Sequence, residues 1–365
     1  MKKYITKFYI IFLIIFFMLP TIIYPIINSR DIENLENREM AKMPVFSFKN
    51  IESYPTEYEN YYNDNLPFRS KLIRANALLN LKFFKQSPEK KVILGKDGWL
   101  FYDPPIEDSD PIGQCTGKTL SEKQLKETVK NLSTIRDILS EQGKEFIVML
   151  CPNKESIYGE KFLPKYFDAK IKNTAGDQMA EYLQKNSDIN IVYPKKQILN
   201  AIDKHPEYDF YYKLDTHWNY LGGYIGAKEL LSAMDVKMPE FDNVSVKSEG
   251  GRVGDLSAMS GLPEEFEGDI LYTPTGYTQN EFIWNNNTEK IQTSTTTNGD
   301  KRSVFVIRDS FSEGLYPFLN SHFSATNYIH ITEYYPGSMN ETNSDIVVLQ
   351  VVERYLDRLT TFKIQ

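Results

Sequence analysis

Two segments of the chain carry residue types that could perform nucleophilic catalysis together. Residues 213–219 supply an acid and an imidazole, Asp215 and His217, two positions apart. In an extended stretch of chain, side chains two positions apart point to the same side, so Asp215 would orient His217. Residues 304–307 form an apolar run that ends in a polar turn carrying Ser310. An α/β fold often presents a nucleophilic serine at such a strand end.

The chemistry explains why these three types are needed together. A serine hydroxyl is a poor nucleophile unless an imidazole accepts its proton and a carboxylate orients that imidazole. Asp215, His217 and Ser310 can fill these three roles as a catalytic triad. A second interpretation stays open from the residues alone. In it, Asp215 and Asn219 cap the following helix, and His217 merely packs against Trp218.

A family resemblance favours the triad. Asp215-Thr216-His217-Trp218, followed downstream by Asp309-Ser310-Phe311-Ser312, resembles the motifs of SGNH-type O-acetyltransferases of the alginate O-acetyltransferase (AlgX and AlgJ) class and of the related DHHW proteins. The similarity covers nearly everything after residue 30. It implies that Asp215, His217 and Ser310 are the catalytic triad. Other segments agree in type and order: Glu36-Asn37-Arg38, Asn65-Leu66-Pro67-Phe68-Arg69, Gly95-Lys96-Asp97-Gly98-Trp99, Pro152-Asn153-Lys154-Glu155, Gly254-Asp255-Leu256 and Glu353-Arg354-Tyr355-Leu356.

The motif order and one residue depart from the familiar SGNH hydrolases. Those enzymes begin with Gly-Asp-Ser and place the acid and base near the C-terminus, whereas here the acid and base precede the serine and Arg308 replaces the glycine. The expected fold is therefore an α/β, SGNH-hydrolase-like parallel sheet flanked by helices, with permuted motif order and one preceding transmembrane helix. A helix predicted over residues 311–319 would bring the Ser310 backbone amide close to the nucleophile. This amide is our one candidate oxyanion donor.

The N-terminal residues predict a membrane anchor. Three lysines among the first seven residues precede an uncharged apolar run at residues 8–27, and acidic residues follow it. The run is long enough for a helix that crosses the hydrocarbon core, and the positive-inside rule puts the chain after it on the extracytoplasmic side. Residues 1–28 are therefore predicted to be a cytoplasmic tip and signal anchor. A cleaved signal peptide is the alternative.

After the anchor, the chain predicts a membrane-proximal helical segment at residues 29–90 and a catalytic domain at 91–365. Asp97-Gly98 would turn a hairpin, and Ser121 would cap a helix that stops at Gly143. The Asn- and Thr-rich residues 285–298 suggest a mobile hairpin or a surface loop. Further apolar runs predict strands and one long helix; the strands lie at residues 146–150, 189–193, 304–307, 328–331 and 346–352, and the helix at 220–234.

Two polar segments follow predicted strands. Asn153 or Lys154, just beyond the strand at 146–150, could donate to a substrate, or the loop could be held by its own side-chain hydrogen bonds. Glu353 and Arg354 follow the last strand and could tie the end of the sheet together by an ion pair.

Charge and histidine spacing argue against two classes of function, nucleic-acid binding and metal binding. The formal net charge is −7, and no Lys/Arg-rich run appears in the body of the chain, which argues against nucleic acid. His205, His322 and His330 show no ligand spacing, so neither a metal site nor a cofactor is predicted. The two cysteines, Cys115 and Cys151, could form a disulfide or remain free.

Taken together, the residues and the resemblance predict a membrane-anchored serine O-acyltransferase acting outside the cell. The resemblance implies an acetyl group, a cell-surface or secreted polysaccharide as acceptor, and a multispanning membrane-bound O-acyltransferase that supplies the acyl donor. Polymer binding is expected at another surface of the chain or on a partner. Two alternatives stay open: a carbohydrate esterase with the same triad, and a non-catalytic, membrane-tethered scaffold or polysaccharide-binding protein.

Overall fold

The computed structural model describes residues 2–23, 39–65, 69–105, 109–286 and 290–365. These residues fall into two compact units, Met1–Pro88 and Glu89–Gln365.

The first unit is helical. A five-residue π-helical turn, Asn80–Phe84, continues its last helix. Within the described ranges, no helix has the combination of length and apolar character that crossing a membrane requires. The anchor over residues 1–28 stays a prediction, and residues 24–28 lie outside the described part, as do residues 36–38 and 66–68 of the family motifs. The helices of this unit are α1 (Lys2–Ile23), α2 (Tyr54–Asp64) and α3 (Arg69–Leu79).

The second unit alternates strands with helices, as the sequence predicts. Its strands are β1 (Val92–Leu94), β2 (Leu100–Tyr102), β3 (Glu145–Cys151), β4 (Asn190–Val192), β5 (Ser245–Arg252), β6 (Asp269–Thr275), β7 (Ile283–Asn286), β8 (Ile291–Thr295), β9 (Asp300–Arg308), β10 (Phe323–His330) and β11 (Ile346–Val352). Its helices are α4 (Pro111–Thr116), α5 (Glu122–Glu141), α6 (Lys154–Phe162), α7 (Ala175–Asn186), α8 (Lys195–Lys204), α9 (Tyr220–Ala233), α10 (Asp255–Met259), α11 (Tyr316–His322) and α12 (Asp357–Thr361).

A seven-stranded sheet with the order β4-β3-β11-β9-β10-β8-β7 organises this unit. The strands from β4 to β10 pair in parallel, whereas β8 and β7 join antiparallel at one edge. The expected all-parallel sheet is therefore wrong at that edge. The described part of the Asn- and Thr-rich segment forms the antiparallel pair β7 and β8 within the sheet, where Ile291, Thr293 and Ser294 are buried.

The central strands are buried on both faces, which explains their nearly continuous apolar sequences. In β3, Ile147 and Met149 pack into one hydrophobic cluster, while Val148 and Leu150 pack into the cluster on the opposite face. Helix α5 contributes Leu132 and its other apolar residues to the second cluster. Helices therefore cover both faces of the sheet. The parallel strands all end along one edge of the sheet, and Ser310 follows the end of β9 there.

Several local predictions are confirmed. The β1–β2 hairpin turns at Asp97 and Gly98, which both have positive φ (53° and 79°) as a type I′ turn requires. Helix α5 begins with a capping box between Ser121 and Gln124, and Gly143 follows its end with φ 71°. Helix α9 and strand β11 also lie where the sequence predicts them.

The helix predicted after the nucleophile is broken into two pieces. Residues Ser310–Gly314 form a 3₁₀ helix, and α11 begins afresh at Tyr316. Pro317 explains the break, because it has no N–H to donate to a helix continuing from residue 311. The β5–β6 hairpin, which forms a separate two-stranded sheet, was not predicted.

Close packing joins α9 to the turn after Ser310. A Cβ atom added at Gly223 would lie only 2.2 Å from the backbone oxygen of Gly314, so only glycine permits this approach. The contact fixes the start of α9, and the residues just before it, against the nucleophile turn.

Candidate active site

The three residues proposed as a triad meet in space, although His217 and Ser310 are 93 positions apart in the chain. The Nε2 atom of His217 lies 2.7 Å from Ser310 Oγ, and its Nδ1 atom lies 2.7 Å from Asp215 Oδ1. The Asp215 side chain is only 3% exposed, whereas that of His217 is 25% exposed. The geometry is that of a serine nucleophile, a general base and an orienting acid.

The Asp215 carboxylate is held ionised by its neighbours. Its Oδ1 atom also accepts a hydrogen bond from the His217 backbone N–H, at 3.0 Å. Its Oδ2 atom accepts from Arg252 Nη1 at 2.8 Å and from the Asp255 backbone N–H at 3.1 Å. Burial by itself raises the pKa of Asp215, but the hydrogen bonds and charges of His217 and Arg252 outweigh burial and lower this pKa below its usual value.

Arg252 is a residue of the candidate site that sequence reasoning missed. It is the last residue of β5, and its guanidinium also lies over the ring of Tyr212, 4.1 Å from the ring centroid. Its strand carries no strong pattern, because most of its residues are exposed and two are glycines. The one available signal was its position two residues before the Gly254-Asp255-Leu256 motif.

Asp255 supports the same loop from the other side. Its carboxylate accepts from the backbone N–H of Thr216 at 2.8 Å and from the hydroxyl of Thr216 at 2.6 Å. The motif therefore positions the residue between the acid and the base. No contact of Asp255 with substrate is needed to explain its presence.

Asp309 and Gln350 fix the turn that presents Ser310. The Asp309 carboxylate accepts from the backbone N–H groups of Phe311 (3.0 Å) and Val352 (2.6 Å) and from Gln350 Nε2 (2.7 Å). Gln350 Oε1 in turn accepts from the Asp309 N–H at 3.0 Å and the Ser312 hydroxyl at 2.7 Å. Both side chains are buried, so the turn is bound to the neighbouring strand β11.

Aromatic side chains link the two halves of the site. The indole N–H of Trp218 donates to the Phe311 backbone oxygen at 2.9 Å, and the His217 and Phe311 rings lie 5.0 Å apart between centroids. Asn219 caps α9 by accepting from the N–H groups of Leu221 and Gly222. The capping half of the second interpretation is thus correct for Asn219, but Asp215 bonds to His217 instead.

The Ser310 backbone amide remains the candidate oxyanion donor. Ser310 is the first residue of its 3₁₀ helix, and the first N–H groups of a helix have no partner within it. Arg308, which stands where a glycine is familiar, is the last residue of β9 and has ordinary strand geometry. Glycine's conformational freedom is therefore not required at that position.

A cavity of about 250 Å³ opens beside the triad. Both His217 and Ser310 line it, so a substrate in this cavity would reach the nucleophile and the base. Its other walls are formed by residues of the loop, the β5–β6 hairpin and the 3₁₀ helix: Tyr212, Trp218, Asn219, Tyr220, Arg252, Leu271, Glu313 and Gly314.

Asn153 and Lys154 do not face this cavity. Asn153 is fully buried, where its N–H donates to Glu353 and its side-chain oxygen accepts from the Arg354 N–H. Lys154 is also buried and donates to backbone oxygens. Their predicted contact with substrate is wrong, and the alternative of a loop held by its own hydrogen bonds is correct.

Glu353 does tie the sheet end together, but through backbone groups. Its two carboxylate oxygens accept from the N–H groups of Asn153 (3.0 Å) and Gly176 (2.9 Å), and the proposed ion pair with Arg354 is replaced by these bonds.

Cys115 and Cys151 are both free and buried, and burial raises the pKa of both thiols. The disulfide alternative is not what the structure contains.

Asp215, His217 and Asp255 also bring potential metal-ligand atoms within 4.8 Å of one another. The arrangement is accounted for without an ion. The Nδ1 atom of His217 must carry a proton to donate to Asp215, and a protonated nitrogen has no lone pair for a metal. Arg252 already neutralises Asp215, which would oppose a cation there. The residues therefore fit a triad better than a metal centre.

The fold belongs to a known class. Residues 92–326 match the family described as "SGNH hydrolase-like domain, acetyltransferase AlgX". This match covers well over half of the chain, and the chain belongs to that family.

Among curated proteins, the chain is 25% identical over 182 residues to a probable alginate O-acetylase AlgJ of Pseudomonas syringae pathovar tomato, covering 50% of this chain and 42% of the relative. The chain thus spans less than half the length of that relative. Among solved structures, PatB1 of Bacillus cereus has a TM-score of 0.53 at 16% identity, covering 73% of this chain and 98% of PatB1. A DHHW family protein of Eubacterium siraeum has a TM-score of 0.51 at 15% identity, covering 74% and 97%. These two likenesses concern the fold.

The contact between Arg252 and Asp215 gives a prediction. Replacing Arg252 with Met should raise the pKa of Asp215 and lower the free energy of unfolding by about 1 kcal/mol at neutral pH, because the guanidinium is partly exposed. An aspartate whose pKa is depressed stabilises the fold above its unfolded pKa of about 3.9, and this stability is lost as pH falls. Urea unfolding from pH 7 downward should therefore show the two proteins converging in acid.

Lys247→Met, at an exposed position on the same strand, is the control and should follow wild type at every pH. A difference between Arg252→Met and wild type that stayed constant with pH would contradict an effect through Asp215.

Proposed function

We propose that the protein is a serine O-acyltransferase that moves an acetyl group to a hydroxyl of a cell-surface or secreted polysaccharide. The observation that carries the proposal is the continuous hydrogen-bonded series from Asp215 through His217 to Ser310, at 2.7 Å for each step. Membership of the AlgX family and the relatives named as alginate O-acetylases support acetyl as the group and a polysaccharide as the acceptor.

In the first half-reaction, Ser310 Oγ attacks the carbonyl carbon of the acetyl donor while its proton passes to His217 Nε2. The buried carboxylate of Asp215 stabilises the imidazolium that results. The Ser310 backbone N–H is available to stabilise the negative oxygen of the tetrahedral intermediate. The intermediate collapses as the donor's leaving group departs with the proton from His217, and the acetyl group remains on Ser310.

In the second half-reaction, an acceptor hydroxyl replaces the donor. Its proton passes to His217 Nε2 as its oxygen attacks the acetyl carbon. Ser310 Oγ leaves and recovers the proton, which restores the resting triad. Water in place of the sugar hydroxyl would give an esterase, so acceptor binding decides the outcome.

A second cavity, of about 450 Å³, is a suitable place for the acceptor chain because Tyr212 lines both cavities. Leu271 of the smaller cavity is also the chain neighbour of Ile270 and Tyr272 in the larger one. Five carboxyl side chains but only one lysine line the larger cavity: Asp97, Asp209, Glu265, Glu267 and Asp269 against Lys213. A chain of uronate sugars would meet unfavourable charge there. We infer that the acceptor is a neutral or amino-sugar polymer rather than alginate.

The proposed reaction takes place outside the cytoplasm. Support comes from the sequence, where lysines precede the uncharged residues 8–27 and acidic residues follow. Acetyl-CoA is a cytoplasmic metabolite, so an extracytoplasmic enzyme needs an acyl donor delivered across the membrane. A multispanning membrane-bound O-acyltransferase is the proposed supplier, as in the family resemblance.

The first test uses the triad. Incubation with p-nitrophenyl acetate should add one acetyl group to Ser310, seen by intact-mass spectrometry and peptide mapping. Ser310→Ala and His217→Ala should lose the adduct, and ester turnover should fall by about 10³-fold or more, because triad members act as a unit. Asp215→Asn should also be strongly impaired.

His205→Ala is a matched control. His205 also pairs with an aspartate, Asp242, at 3.0 Å, but Asp242 is exposed and neither residue lines the cavity beside Ser310. This variant should retain wild-type turnover. Equal turnover in wild type and in the Ser310 and His217 variants would refute the catalytic assignment and favour a tethered binding protein.

The second test concerns the acceptor. With the acetyl-enzyme formed, neutral oligosaccharides and glucosamine oligomers should accelerate loss of the acetyl group and become acetylated themselves, whereas oligomannuronate should not. Glu267→Gln should lower the preference for glucosamine oligomers without changing turnover of p-nitrophenyl acetate. Product mass spectrometry checks both points. Free acetate as the sole product with every acceptor would support the esterase, and preferred acetylation of mannuronate would contradict the acceptor class.

The third test concerns location. Protein expressed with a C-terminal tag should remain with the membrane fraction, and externally added protease should digest the tagged body in intact protoplasts. Protection from protease, or release of the full-length chain into the soluble fraction, would contradict the proposed topology. A cytoplasmic marker protein that stays intact is the control for leakage.

A further inference from the structure

Lys154 is a buried cation that lies behind the proposed catalytic loop. Lys154 is the first residue of α6, directly after the turn that follows β3, and it is only 1% exposed. Its Nζ atom donates to three backbone oxygens: those of Tyr212 (3.2 Å), Lys213 (3.2 Å) and Asp215 (2.6 Å). All three belong to the segment that delivers Asp215 and His217 to Ser310.

This segment, residues 212–216, lies outside every named strand and helix, so side chains provide much of its hydrogen bonding. On one side, the carboxylate of Asp269 accepts from the N–H groups of Lys213 (2.6 Å) and Leu214 (3.1 Å), and Asp255 accepts from Thr216. On the other side, Lys154 binds the oxygens. The shortest of its bonds is to the residue that carries the orienting acid.

We infer that Lys154 is a positioning residue for the proposed reaction, in which its ammonium group fixes the backbone that brings Asp215 and His217 to Ser310. This inference rests on the proposed function for its catalytic consequence. The hold on the loop is a matter of geometry alone. Nothing in the cavity beside the triad requires Lys154 to touch substrate.

The number of donors explains why a lysine is required. The ammonium group of a lysine has three N–H donors, one for each of the three loop oxygens. A neutral amine has only two. Lys213 O also accepts from the Leu100 N–H at 2.8 Å, so it keeps a partner if Lys154 turns away. An oxygen left without a donor in this buried place would destabilise the loop conformation.

The surroundings make the charge of Lys154 sensitive to mild alkali. Burial lowers its pKa to about 8, against the opposing effect of four nearby acidic groups: Glu155 on the same helix, Asp255 on α10, Asp269 on β6 and Asp215 on the loop. Its other neighbours are the rings of Trp99 and Phe101, at 5.7 and 5.3 Å. The nearby cations, Arg252 and Lys213, are directed to Asp215 and to Asp209. Deprotonation would remove one donor from the loop while the rest of the site remains.

The experiment compares wild type, Lys154→Met and Lys161→Met in the full chain. Lys161 lies on the same helix and is exposed, so it is the matched control. Hydrogen–deuterium exchange at neutral pH is followed in peptides covering residues 210–219. The kcat and KM for p-nitrophenyl acetate are measured from about pH 6 to pH 9.5, with circular dichroism at each pH to monitor the fold.

We expect Lys154→Met to exchange faster in residues 210–219 and to have about 10²-fold lower kcat, with a smaller change in KM, because the loop holds the reacting groups less accurately. Wild type and Lys161→Met should lose kcat/KM above about pH 8 while still folded. Lys154→Met should lack that alkaline decline. A lysine that mattered only for stability would not cause the activity of the folded protein to decline in alkali, so this comparison separates positioning from stability.

Two results would overturn the inference: a folded Lys154→Met with wild-type exchange and kcat, or a wild-type kcat/KM that does not decline in alkali while the protein remains folded. If Lys154→Met fails to fold, the wild-type and Lys161→Met pH profiles decide the question. An inert wild type would instead contradict the proposed function, and the exchange comparison would still test the hold of Lys154 on the loop.

Discussion

The buried negative charge of Asp215 is the constraint around which the second unit is arranged. A carboxylate with almost no exposure is costly unless each oxygen has partners, and here both oxygens have two. Those partners come from separate parts of the chain: the adjacent loop, the end of β5 and the start of α10. Satisfying one charge therefore fixes three segments relative to one another, and it also fixes the tautomer of His217 that the proposed chemistry needs.

The proposed nucleophile and its proposed base are held by different physical means. Ser310 follows a central strand, so the sheet's backbone hydrogen bonds, together with Asp309 and Gln350, determine its position. His217 lies on a loop, and most residues of this loop do not pair with a strand. There, buried side chains add to a few backbone hydrogen bonds, with carboxylates on the N–H groups and an ammonium on the oxygens.

Much of this could be predicted from the sequence because it depends on local rules. The Asp97-Gly98 turn, the Ser121 cap and the apolar strands each follow from backbone geometry or periodicity, and the grouping of Asp215, His217 and Ser310 follows from residue type and family resemblance. What could not be predicted depends on contacts between distant residues. Arg252 lies in a polar, glycine-containing hairpin with no pattern, and the buried environment of Lys154 is created only when the loop folds over it. From sequence alone, a lysine directly after a strand suggests a side chain that donates a hydrogen bond to a ligand. Only its burial in the structure excludes that role.

The permuted motif order is compatible with the same chemistry because the triad requires distances and not chain order. Strand β9 lies between β11 and β10, so Ser310 emerges from the interior of the parallel part of the sheet. The loop carrying His217 reaches it through α9, whose Gly223 packs on Gly314, and through the bond from Trp218 to Phe311. These two contacts join the start of α9 directly to the nucleophile's own turn. Any chain order that preserves that junction would bring the base to the serine, which explains how a fold with its acid and base before its serine keeps a 2.7 Å contact between them.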